Sequence, residues 1–286
     1  MAYWAQLAST RSSQHLALNS SLQLHASRLV SETESINVSV QAWRALASAS
    51  EQAGFAEHAR YITGGGIVDR PQTSLARSVL LGSARTIYLL EPEDPEDQIV
   101  RAAMLANQEV SDLRNTVRSW NEIGVPLEGT LDTLSAYADA TAEKAAAALE
   151  GGGLKPTRST KDTEILKTTL GFVMGDGEKD LTMLMEFWNR ASGMTHARGW
   201  PWSVHPPFNP AASFLNAWVI PCRYLETAWN LWNERRGASD TPACPPPSWE
   251  PDRSRWGLAP GSRGSELRLL RDRGRLFIRR RFRRRS

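Results

Sequence analysis

Cysteine is nearly absent from this 286-residue chain: Cys222 and Cys244 are the only two thiols, too few for a disulfide framework. Neither sits in a Cys-x-x-Cys or Cys/His cluster, so no metal site and no cofactor are expected, and a reducing, cytoplasmic setting fits best. A charged start followed by an apolar run of about 7–15 residues is also missing from MAYWAQLASTRSSQHLALNSS, which argues against a secretory signal. The most apolar late stretch, residues 209–236, is broken by Asn216, Arg223 and Glu226, so no transmembrane segment is expected. Strand-like alternation and a nucleophile elbow are lacking, which sets aside conventional Ser-His-Asp and Cys-His hydrolases. Gly64-Gly65-Gly66 has no strand before it and no Gly-Lys-Ser/Thr after it, and reads as a loop rather than a phosphate cradle.

What is present is ample core material, 41% hydrophobic with eleven tryptophans, and a net charge of +3. That small number hides a division. Residues 251–286 carry thirteen arginines, no lysine and three acidic residues, a net of +10, which leaves −7 on residues 1–250. Any attraction for polyanions therefore belongs to the C-terminal end.

Apolar spacing predicts an all-α multi-helix bundle over 1–236. Leu18 to Ser50 reads as one or two amphipathic helices, with His25 as a hydrogen-bonded residue of the apolar stripe, and Gly54 to Arg70 breaks the pattern. Pro71 to Leu90 reads as a helix capped by Thr73 or Ser74, on which Gly82 invites a neighbouring helix to approach. Arg77 and Arg85 lie off its apolar face, either solvated or reaching a carboxylate. EPEDPEDQ, residues 91–98, suits the start of the next helix, because carboxylates stabilise the positive end of a helix dipole. Ile99, Ala103, Ala106, Val110, Leu113, Val117 and Trp120 give that helix the clearest period in the chain. Further helices are expected over about 131–149, 160–173, from 178 into the central stretch, and over 209–236, where Pro221 should introduce a kink. Residues 237–286 turn to proline, serine, glycine and arginine and read as a disordered basic tail. In that tail Arg279, Arg280, Arg281, Arg283, Arg284 and Arg285 are candidate contacts to nucleic acid or an anionic surface.

The stretch EFWNRASGMTHARGWPW, residues 186–202, concentrates tryptophan, arginine, histidine and polar residues more densely than any other window. Arg190 and His196 match the Arg-x(4–6)-His pattern and so resemble HEPN ribonucleases, all-helical proteins that cleave RNA without metal. The resemblance implies His196 as general base, Arg190 or Arg198 as phosphorane stabiliser, Ser192 or Asn189 orienting phosphate, and a homodimer completing the site. On a regular helix, however, residues six apart diverge by about 120°, so Arg190 shares a face with His196 only if the helix distorts near Gly193. Asn189, Ser192 and His196 share a face without distortion.

A broader similarity covers roughly residues 70–235. The chain resembles a group of actinobacterial helical proteins that pair a Pro-x-x-Ser-Leu-x-Arg helix with a later Ser-(Gly/Ala)-x-x-His-(Gly/Ala) stretch, here PQTSLAR at 71–77 and SGMTHA at 192–197. It implies the helical fold and no reaction. Two functional expectations follow. In the favoured one the chain is a non-catalytic interaction module with a polyanion-binding tail, and His196 and Trp188 are packing residues, the imidazole bonded to Ser192 or a carbonyl. The alternative is the HEPN-like ribonuclease.

Overall fold

The computed structural model describes residues 36–62, 69–124, 129–175, 177–196 and 210–237, and of these only the backbone at 61, 62, 69, 70 and 210–216. Among them are seven helices and no strand: α1 (Val38–Ile62), α2 (Asp69–Leu90), α3 (Pro95–Glu122), α4 (Thr130–Gly151), α5 (Asp162–Val173), α6 (Glu178–Thr195) and α7 (Pro210–Arg235). The fold is an all-α, multi-helix bundle, and no helix among the described residues is long and apolar enough to cross a membrane. His25, the 64–66 loop, Cys244 and the arginine-rich tail lie outside the described residues.

α2 is the helix the others are laid against. Its residues Ala76, Val79, Leu80, Ala84, Ile87, Leu89 and Leu90 are all sealed from solvent, and they fall on more than one side of the helix. A helix buried around most of its circumference belongs in the middle of a bundle. α1, α5, α6 and α7 all pack on it. Against α1 the pairing is antiparallel: Thr86 donates to the Ala42 carbonyl at 3.2 Å and Gln72 Nε2 to the Ala56 carbonyl at 3.1 Å. Between them Gly82 faces Ala45 and Ala49, so the expected close approach is real.

Two local expectations are corrected. Gly54 does not end α1, which runs eight residues further to Ile62; one mid-helix glycine costs only about 1 kcal/mol, and buried Ala53 and Ala56 on either side keep the helix docked. Nor do Thr73 or Ser74 cap α2. The helix begins at Asp69, and Thr73 is buried inside it.

α3 starts as its sequence predicts. Asp94 is the N-cap, its carboxylate accepting from the Glu96 amide at 2.9 Å, with Pro95 in the first turn and Glu96 and Asp97 beside the dipole. α3 and α4 form an antiparallel hairpin, with Ala103, Met104 and Ala106 packed on Ala145 and Leu149. The small side chains of the Ala-rich α4 thus give close packing. α4 stops at the glycine triplet: Gly153, at φ +71°, lets Leu154 N–H reach the Leu149 carbonyl at 2.8 Å, the left-handed turn that glycine adopts without a Cβ clash. Leu154 then folds back on the hairpin core.

α7 closes the bundle with the tryptophans. Trp218, Trp229 and Trp232 are almost fully buried, and Pro221 sits inside the helix. Trp43 of α1 meets Trp229 edge-on at 6.1 Å and Trp232 at 5.4 Å between ring centroids, separations at which aromatic pairs attract. The Trp229 indole N–H donates to Ser50 Oγ at 3.0 Å, and the Ser50 hydroxyl in turn donates to the Leu46 carbonyl at 2.8 Å. The Tyr224 hydroxyl donates to the Leu166 carbonyl at 3.4 Å, tying α7 to α5.

Candidate functional site

The carboxyl end of α6 brings most of the sequence candidates to one place, and α2 supplies what they touch. Leu184, Phe187, Trp188 and Ala191 recur three and four residues apart and are buried, so α6 lies against α2 with Trp188 and Ser192 on consecutive turns of the contact face. On α2, Ser74 and Arg77 are three apart and share a face. Arg77 Nε donates to Ser192 Oγ at 3.0 Å, and the guanidinium carbon lies 4.1 Å from the centre of the Trp188 ring. Thr195 Oγ1 is 3.3 Å from Ser74 Oγ and 2.9 Å from the Ala191 carbonyl. The pairing of 74 with 195 and 77 with 192 makes the two helices antiparallel. Ser74 and Arg77 of the first motif and Ser192 and Thr195 of the second therefore meet in space.

Burial lowers the pKa of Arg77 and Asp162 works against that shift, but a guanidinium stays charged throughout the physiological range. The charge sits half-buried on an aromatic face, a cation–π placement that gains about 1–2 kcal/mol when partly desolvated.

His196 follows the last helical residue, its backbone N–H donating to the Ser192 carbonyl at 3.0 Å. Its side chain is exposed. This corrects the expectation of a packed imidazole bonded to Ser192 or a backbone carbonyl: the His196 side chain is open to solvent, while Trp188 is the residue that packs. Replacing His196 with glutamine should accordingly shift unfolding free energy by less than about 0.5 kcal/mol, the usual range for exposed positions. A urea titration showing a loss above about 1 kcal/mol would restore the packed histidine.

Asn189 is exposed and Arg190 half-buried. α6 remains an α-helix through Gly193 to Thr195, so the distortion that would turn Arg190 toward His196 is not there. Two residues correspond to about 200°, which puts Arg190 on nearly the opposite side of α6 from Ser192. Arg198 and the six tail arginines lie outside the described residues. For Arg77 the sequence offers solvent or a carboxylate, and this is corrected: the side chain is half-buried on Trp188 and bonded to Ser192. Its signal is present in the Ser-Leu-x-Arg spacing, but its partner lies 115 positions away, beyond anything periodicity reports.

Other polar groupings are self-contained. Arg85 bridges Asp162 at 3.2 Å and Glu109 at 3.7 Å, and Gln108 also reaches Asp162 at 3.1 Å. Asn107 holds the segment before α5 by donating to the Pro156 and Arg158 carbonyls, both at 2.9 Å. A cavity of about 390 Å³ between α3 and α4 is lined by Arg114, Arg118, Asn121 and Ser135 among others, but Arg114 is committed to Asp139 at 2.6 Å. Cys222 is buried, and burial pushes its thiol up to about 12, which removes the one described thiol as a nucleophile at neutral pH. Among the described residues no group of histidine, cysteine and carboxylate side chains is arranged to hold a metal ion.

No protein-family model, curated protein or solved structure matches the chain. The class defined by the fold is an all-α helical bundle.

Proposed function

We propose that this chain is a non-catalytic helical interaction module, working in a reducing cytoplasm, whose arginine-rich end binds polyanions. The observation that carries the reading is the charge division, +10 on residues 251–286 and −7 on the rest. Phosphate contacts by arginine give affinity without sequence specificity and make it steeply salt-dependent. An acidic body keeps the same polyanion off the bundle. The regular course of α6, which separates Arg190 from His196, further supports a body without ribonuclease machinery.

The test uses the full chain. Replacing Arg279, Arg280, Arg281, Arg283, Arg284 and Arg285 together by glutamine should weaken binding of single-stranded RNA at least about tenfold at low salt. The slope of log affinity against log salt should fall by up to about 4, at roughly 0.7 for each phosphate no longer neutralised. Unchanged affinity and slope would remove the tail from the function.

One observation favours a second reading, the HEPN-like ribonuclease: His196 is exposed at the end of α6 and so is reachable as a general base. That reading requires RNA cleavage that resists EDTA, leaves a cyclic phosphate and disappears in His196→Gln and Arg190→Gln. Purified wild-type protein that leaves RNA intact in EDTA eliminates it.

A further inference from the structure

Three half-buried arginines of this bundle are matched to carboxylates. Arg60 meets Glu57 at 3.1 Å, Arg85 meets Asp162 at 3.2 Å, and Arg101 meets Glu91 at 2.9 Å. Arg77 breaks the pattern. Among the described residues no carboxylate lies within ion-pair distance of it; its Nε is bonded to a neutral hydroxyl, and its plane rests on Trp188. Asp162 acts on it only from beyond ion-pair distance and is itself bonded to Arg85, and a partly desolvated cation gains from a negative charge placed directly on it. The stacking and the Nε bond also fix the guanidinium's orientation, so its two terminal amino groups are offered as a preset fork, which suits oxyanion recognition.

Its surroundings are those of an oxyanion site. The hydroxyls of Ser74, Ser192 and Thr195 and the exposed His196 all belong to the same end of the α2–α6 pair. About 40° around α6 separates Ser192 from His196, and about 60° separates it from Thr195. The negative carboxyl end of α6 is offset by the positive amino end of α2, which runs antiparallel beside it.

We propose that Arg77, held by Trp188 and Ser192, anchors a phosphate-binding site completed by the Ser74 and Thr195 hydroxyls and by His196. The ligand is a phosphate monoester or free phosphate, whose oxygens take the arginine fork and the hydroxyl donors together. A carboxylate has two oxygens and would use only the fork. This site is separate from the C-terminal arginines, and it stands whether or not the tail binds polyanions.

The experiment is a ³¹P NMR titration of inorganic phosphate into the full chain at constant ionic strength, with parallel titrations of adenosine 5′-monophosphate and acetate by competition. Wild type should show saturable binding, weakened about tenfold or more in Arg77→Gln, by loss of a charge-assisted bidentate contact. His196→Gln should weaken it a few-fold, and Arg77→Lys should fall between wild type and Arg77→Gln because it keeps charge without the fork. Arg114→Gln, at an exposed arginine paired with Asp139 on the α3–α4 hairpin, should bind as wild type does. Tighter binding of the nucleotide would identify an esterified ligand, and equal binding free phosphate; both support the site. If Arg77→Gln does not fold by circular dichroism, Arg77→Lys and His196→Gln decide. Non-saturable binding, wild-type affinity in the Arg77 and His196 variants that fold, or acetate competing as well as phosphate would overturn the proposal.

Discussion

Replacing Trp229 with alanine is expected to destabilise the bundle by about 3–5 kcal/mol, the range for removing a buried large aromatic. Several losses coincide at this position. The side chain is essentially inaccessible, its removal leaves a cavity where α7 meets α1, and Trp43 loses an edge-on partner at 6.1 Å. The indole N–H bond to Ser50 goes as well, but Ser50 keeps its bond to the Leu46 carbonyl, so no buried group is orphaned on the α1 side. Trp229→Phe separates the contributions: it retains most of the apolar volume and loses the N–H, for which about 1 kcal/mol is expected. Chemical denaturation of both variants provides the check. A Trp229→Ala cost below about 1 kcal/mol would mean that α7 does not close the core as described.

The second large effect is expected at Gly82. A Cβ added there would lie 2.7 Å from the Ala45 carbonyl oxygen and 3.0 Å from Ala49 Cβ, both on a neighbouring helix and neither able to swing aside. Alanine normally stabilises a helix by about 1 kcal/mol over glycine. Here that gain is outweighed, because α1 must shift and with it the Thr86 and Gln72 bonds that pin the pair. A net loss of about 1–3 kcal/mol is expected for Gly82→Ala, as for other overpacked cores, and more for valine. Gly151 provides the internal control, since a Cβ there meets nothing within 4 Å. Equal melting temperatures for Gly82→Ala and wild type would show that the two helices are not in close contact.

Periodicity makes most helices legible. α3 is announced by the step of Ala103, Ala106, Val110 and Val117, and all four are buried. The acidic stretch at 91–98 is expected beside the start of α3, and within it the structure makes Asp94 the cap. Legibility fails where tertiary packing overrides local preference: buried alanines carry α1 past Gly54, and α2 begins ahead of its apparent cap because Gln72 and Thr73 are enclosed by neighbours. One apolar stripe is visible on α2, whereas its role as the central helix depends on what surrounds it. At the site, helix geometry alone places Ser192 and His196 on one face correctly. The imidazole's exposure is not readable, since a histidine beside tryptophans in sequence need not lie beside them in space. The partners of Arg77 are unreadable for the opposite reason, being close in space and remote in sequence.

The Ser50–Trp229 bond joins residues 179 positions apart, and this has a consequence for the order in which a growing chain can complete itself. At about 5–20 residues per second, roughly 9–36 s separate the synthesis of the α1 surface from that of the tryptophan that covers it. During that interval α1 and α2 can pair, and the α3–α4 hairpin can form on its own local contacts, but the face holding Trp43, Leu46 and Ser50 has no α7 to cover it. The nascent bundle therefore exposes an aromatic-binding groove throughout most of its translation, and a chain halted before Trp229 would present that groove to chaperones or to its neighbours on the same message.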